Sequence, residues 1–133
     1  MKKFTSAKQK KGEYGEYVAC VYLSRSGFRI IERNFTRKCG EIDIIAEKGG
    51  IFHFIEVKSV SREIDVDISR ETNQNSPEEN MHPWKQMKMA RTISVYLASH
   101  NVLHWQCDLV CIYLDDVSRK ARVTFMTDII LEN

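Results

Sequence analysis

The sequence predicts a single α/β (α+β) domain, with one β-sheet and helices packed on it. Three observations predict it. Apolar residues alternate with period two over five short runs, and they recur at helical spacing over two longer stretches. The runs follow one another as helix, three strands, helix, two strands, an order that suits a sheet covered by helices. A length of 133 residues fits one domain with an ordinary core, and no repeat or low-complexity tract divides it.

Met1–Lys11 carries five lysines and no acid. It reads as a solvated basic tail, with an arm that touches phosphates as the alternative. Glu13–Ser26 reads as a helix whose apolar stripe is Tyr14, Tyr17, Val18 and Val21, ended by Gly27 at the C′ position. Glu16 heads a second row with Cys20 and Leu23 and is expected to be half-buried. The plainer account of Glu16 is a first-turn acid complementing the helix dipole. Phe28–Phe35 is expected to be a strand with Ile30 and Ile31 buried. Arg25, Arg29, Arg33, Arg37 and Lys38 surround it, and Arg33 and Arg37 are candidates to face a backbone phosphate.

The most informative stretch is Glu41–Ser59. Two apolar-rich runs, Glu41–Glu47 and Ile51–Ser59, flank Lys48-Gly49-Gly50, as in a β-hairpin. With Gly49-Gly50 as the turn, Lys48 pairs with Ile51, Ile45 faces Phe54, Asp43 faces Glu56 and Glu41 faces Lys58. Those residues share one face; Ile42, Ile44, Ala46, Ile55 and Val57 take the other as core. Like charges ~4.5–5.5 Å apart at Cβ across a strand pair destabilise a sheet. A paired acid beside a lysine therefore points to a bound cation, and oxygen-only ligands suit Mg²⁺ or Mn²⁺. A surface salt-bridge cluster is the competing explanation.

Val60–Pro83 is polar and acidic and reads as a long mobile loop. Trp84–Ser99 reads as the second helix, with Pro83 suited to its first turn. Its buried stripe is Met89, Ala90, Ile93, Tyr96 and Leu97, with a basic row of Lys85, Lys88 and Arg91 beside it. Trp105–Leu114 is expected to be a strand with Asp108 on the same face as Val110, Ile112 and Leu114, and Arg122–Ile130 closes the sheet. Asp108 either supports the acid pair from behind or caps the strand's end.

Net charge is +2, unevenly spread. Six acids against two arginines leave Val60–Pro83 at −4 and the remainder of the chain at +6, a balance that admits a polyanionic partner. No apolar run approaches the ~20 residues of a membrane span. The basic start lacks the apolar core of a signal peptide, so no membrane is expected and the cytoplasm is the expected compartment. Cys20, Cys39, Cys107 and Cys111 are scattered without a C-x-x-C pair, which fits buried thiols in a reducing compartment.

These residues meet a known pattern. A helical glutamate, an aspartate on one strand and Glu-x-Lys on the next, with a helix and more strands after, resemble the restriction-endonuclease-like nuclease superfamily, the PD-(D/E)xK group. More narrowly, Gly12, Gly15-Glu16, Arg33-Asn34, Gly40-Glu41-Ile42-Asp43, Phe54-Ile55-Glu56-Val57-Lys58, Lys85, Tyr96-Leu97 and Asp108 resemble the YraN-like family of bacterial proteins. The likeness runs from about Lys11 to Leu114, and its specific part is the two segments that contain Asp43 and Glu56.

The resemblance implies a restriction-endonuclease-like core: a central mixed sheet flanked by helices. It implies Asp43 and Glu56 as metal-binding carboxylates, with the carbonyl of Val57 as a further ligand. Lys58 would be the catalytic lysine and Glu16 the helical acid completing the site. The implied chemistry is Mg²⁺- or Mn²⁺-dependent hydrolysis of phosphodiester bonds in DNA, with structured or branched DNA as the substrate of junction-resolving relatives. Such relatives are often homodimers. Arg33, Arg37, Lys85 and Lys88 are the candidate nucleic-acid contacts. Two departures bear on substrate grip: Val60 and Gln106 stand where the family tends to carry arginines. A nucleic-acid-binding accessory with a vestigial site, and a structural protein whose acidic hairpin is a salt-bridge network, are the alternatives.

Overall fold

Gly49 and Gly50 take φ of 60° and 82°, the left-handed pair that a two-residue hairpin turn needs. The expected register follows, with Lys48 opposite Ile51 and Ile45 opposite Phe54. In this computed structural model, residues 7–61, 81–115 and 117–129 are described. The elements are α1 (Ala7–Arg25), β1 (Arg29–Arg37), β2 (Gly40–Lys48), β3 (Ile51–Ser61), α2 (Pro83–Ser99), β4 (Trp105–Asp115) and β5 (Lys120–Met126).

The five strands form one mixed sheet in the order β1-β2-β3-β4-β5. Only β3 and β4 run parallel, joined by the crossover that contains α2; the other pairs are antiparallel. The architecture is thus α+β in the expected element order. Each helix seals one face. On the α1 side, Ala19 and Leu23 pack on Ile44, Ala46, Ile55, Val110, Ile112 and Leu114. On the α2 side, Met89, Ile93 and Tyr96 pack on Phe35, Ile42, Ile45, Phe54 and Cys107.

Several expectations are corrected. In α1 the buried row is Gly15, Ala19 and Leu23, while Tyr14 and Tyr17 are 53% and 58% exposed. The reason is a close approach: a Cβ at Gly15 would lie 1.7 Å from Ser59 Oγ of β3. A helix this near the sheet must present its smallest residues, so the tyrosine stripe turns outward. The helix also begins at Ala7, so residues 7–11 are helical rather than tail. Straight-chain Gln9, Lys10 and Lys11 favour that extension. Residues 1–6 lie outside the described residues.

Ile42, expected on the face of Ile44, instead joins the α2-side core. Its β1 partner Phe35 does the same, while Arg33, opposite Ile44, reaches α1. Between Arg33 and Phe35, Asn34 has φ 54°, a left-handed conformation that Asn tolerates and that breaks strict alternation. Both strands change face there, at the level of Asn34 and Asp43.

Of the stretch expected to be a loop, Val60 and Ser61 belong instead to β3 and Pro83 to α2. Residues 62–80 of that segment lie outside the described residues. His82 caps α2, its side chain accepting the Trp84 amide at 3.0 Å. No described helix is long and apolar enough to cross a membrane.

Candidate functional site

The acid pair sits at a fork in the sheet. The β2–β3 ladder runs from Lys48/Ile51 to Ile44/Ile55 and stops. Beyond that point β2 stays with β1 as far as Gly40, and β3 stays with β4 as far as Ser61. Asp43 and Glu56 are the next residues on either side. They are therefore not a ladder pair as expected, and neither are Glu41 and Lys58. The Oδ2 of Asp43 instead accepts the Val57 amide at 2.8 Å, satisfying a donor that the ended ladder would leave open.

Burial is the largest influence on Asp43, followed by the negative charge of Glu56. Glu16 and Glu41 add to both, and the Val57 amide works against them. Together they push the Asp43 carboxyl up to about 8. Glu56 is only 6% exposed, and Lys85 of α2 brings its Nζ against Oε2. For Lys85, partial burial disfavours the charge, but the Glu56 carboxylate and its hydrogen bond outweigh that, helped by Asp43 and Glu41. The amine is held above its usual value.

These groups line a cleft of about 500 Å³ between the fork and α2, which Arg37, Lys38, Glu41, Trp84 and Lys88 also line. Among the described residues, no three His, Cys, Asp or Glu side chains converge to hold a metal. A Mg²⁺ ion commonly takes only one or two carboxylates and completes its shell with water and phosphate oxygens. Two nearby acids, one kept protonated near neutrality by burial and then by its neighbour's charge, fit such an ion.

Other candidate residues are placed as follows. Lys58 is half-buried on β3, two residues beyond Glu56 and so on the same strand face, with Cys111 as its β4 neighbour, but it does not line the cleft. Glu16 is half-buried as expected, but on the α1 side, where Arg33 donates to it at 3.2 Å. Its charge reaches Asp43, although it does not line the cleft. Arg33 is thereby separated from Arg37, Lys85 and Lys88, which do line it.

Asp108 belongs to a different cluster. It is fully buried on the α1 side and meets His53 Nδ1 at 2.6 Å, the Gln106 side chain at 2.9 Å and the Asp128 amide at 2.8 Å. It ties β3, β4 and the segment after β5 together rather than supporting the acid pair. Gln106, standing where an arginine was expected, serves this cluster.

Sequence reasoning missed the Lys85–Glu56 contact and the exposed Trp84 beside it. A signal existed for Lys85: with Met89, Thr92 and Tyr96 it forms the row that faces the sheet. Its positive charge, shared with Lys88 and Arg91, resembles a solvated basic face and masks that row.

The fold and the site define an α+β protein with a crowded acid pair, Asp43 half-buried and Glu56 buried, at a sheet fork, faced by a lysine from the crossover helix. The chain belongs to the uncharacterised protein family UPF0102, whose profile matches residues 15–112. A UPF0102 protein of Campylobacter lari is 38% identical over 115 residues, covering 86% of this chain and 93% of the relative. One of Campylobacter fetus subsp. fetus is 40% identical with the same coverage. One of Helicobacter hepaticus is 40% identical over 97 residues, covering 73% and 77%.

Proposed function

We propose that the protein is a metal-dependent nuclease that hydrolyses phosphodiester bonds in DNA, structured or branched DNA included, acting in the cytoplasm. The observation that carries this reading is the crowded pair, half-buried Asp43 and buried Glu56, at the fork with basic groups around it. Asp43 accepts the Val57 amide and Glu56 meets Lys85, yet the two acids still raise each other's cost of ionising, and a divalent cation would relieve that repulsion.

Asp43 and Glu56 would hold Mg²⁺ or Mn²⁺, with the Val57 carbonyl as a further ligand. When bound, the ion would polarise the scissile phosphate and acidify a coordinated water. Lys58, on the strand face of Glu56, is suited to orient the attacking water or to neutralise charge developing on the phosphate. Lys85 pairs with Glu56. Were an ion held by the two acids, the Lys85 ammonium would be free to meet a phosphate oxygen, with Lys88 and Arg37, which line the same cleft, placed to contact the flanking strand. A homodimer would suit a two-fold-symmetric substrate.

One observation favours a second reading, a nucleic-acid-binding accessory with a vestigial site. The Lys85–Glu56 contact already gives one acid a cation from the protein itself. Incubation with linear, nicked and branched DNAs and with RNA, with and without Mg²⁺, separates the two. The nuclease reading predicts Mg²⁺-dependent cleavage of at least one substrate and a drop of about 10²–10⁴-fold in Lys58→Ala. Binding without cleavage favours the accessory.

A further inference from the structure

Trp84 is held at the rim of the acid cleft by the end of α2. Pro83 starts the helix and the His82 side chain accepts the Trp84 amide. The indole lines the same cleft as Asp43 and Glu56, yet the residue stays 60% exposed. The Lys88 ammonium, one turn along, lies 4.2 Å from the ring centroid, a cation–π contact that steadies the ring. Across the cleft, Arg37 is fixed by its contact with the Phe35 ring at 4.1 Å and by donation to the Thr36 carbonyl. An open aromatic face thus stands among cations, beside two acids that suit a phosphate-bound ion.

We propose that Trp84 is a stacking platform for an unpaired nucleobase, so that the cleft takes a nucleic-acid strand with at least one unpaired nucleotide next to the phosphate at Asp43 and Glu56. The inference rests on the reading of the cleft as a phosphodiester site. Its physical basis is geometric. In a duplex both π faces of a base are covered by neighbouring bases, so an indole fixed on a helix end reaches only a base in a single strand, flap, loop or frayed end. Every base has a π face, so stacking of this kind tolerates sequence and complements the phosphate contacts of Lys88 and Arg37.

The chain has two tryptophans, so Trp105→Phe leaves Trp84 as the only indole reporter. That protein is titrated, with Ca²⁺ in place of Mg²⁺, with single-stranded DNA and RNA oligonucleotides. A blunt DNA duplex and an abasic oligonucleotide of equal phosphate count are the comparisons. The expected result is strong quenching of Trp84 emission by the single strands and little by the duplex or the abasic strand; the DNA and RNA arms identify which strand it prefers. In the otherwise native chain, Trp84→Leu weakens single-strand binding about 5- to 150-fold, and Trp84→Phe largely restores it. Unchanged emission on binding, equal quenching by the abasic strand, tight binding by Trp84→Leu, or no binding of any strand overturns the proposal. Cleavage without quenching removes the stacking role alone, whereas quenching without cleavage removes hydrolysis alone.

Discussion

Asp43 is the residue on which the chemistry turns. Its carboxyl is held at about 8, mainly by burial and then by the charge of Glu56, against 3.8 for an unperturbed aspartate. The sign of the consequence is definite. Below about pH 4 the group is protonated in both the folded and unfolded chain, and its contribution to stability is fully present. Between about pH 4 and 8 the unfolded chain loses this proton while the folded chain retains it, so stability falls as pH rises through that window. Urea unfolding in EDTA across this range should show the fall for the native chain and a flatter profile for Asp43→Asn. Added Mg²⁺ should recover stability at the alkaline end. Identical profiles for the two proteins would mean that the carboxyl is not crowded. The identity of Asp43 as a candidate was legible from its spacing to Glu56. Its protonation was not, because that depends on where the strands part.

At the scale of elements, both helices are set by what they bring against the sheet. Gly15 lets α1 approach β3, and a larger side chain there meets Ser59. Gly15→Leu should therefore cost about 1–3 kcal/mol by overpacking, read as a shift in the urea midpoint. A cost near zero would show that α1 can retreat freely. Helix α2 carries Lys85 to Glu56. Lys85→Met leaves a buried carboxylate without its partner and should cost about 1–2 kcal/mol in EDTA, the value being limited by Lys85's partial exposure. Saturating Mg²⁺ should remove most of that loss, whereas an equal loss with and without Mg²⁺ would make Lys85 a purely structural cation. The hairpin register was readable because Gly49-Gly50 admits one turn and alternation does the rest. The buried row of α1 was not. Hydropathy favours the tyrosines, while close packing selected Gly15 and Ala19.

Across the described residues, a single sheet separates two cores and two polar centres. The α2 side holds the acid cleft, and the α1 side holds the sealed His53–Asp108 cluster. Element order and fold class could be read from period and turn signals, since each segment's pattern agrees with its final state. Two features could not. The fork between β2 and β3 arises because β1 and β4 each retain their neighbour, and the change of face at Asn34 arises from one left-handed residue. Both are properties of the assembled sheet, and both bear on Asp43. The most direct measurement is a Mn²⁺ titration followed by the paramagnetic signal of the free ion. The account predicts that the native chain binds Mn²⁺ and that Asp43→Asn and Glu56→Gln each weaken binding about tenfold or more, while the exposed Glu32→Gln does not. A native chain that takes up no Mn²⁺, or an Asp43→Asn chain that binds it equally well, would contradict it.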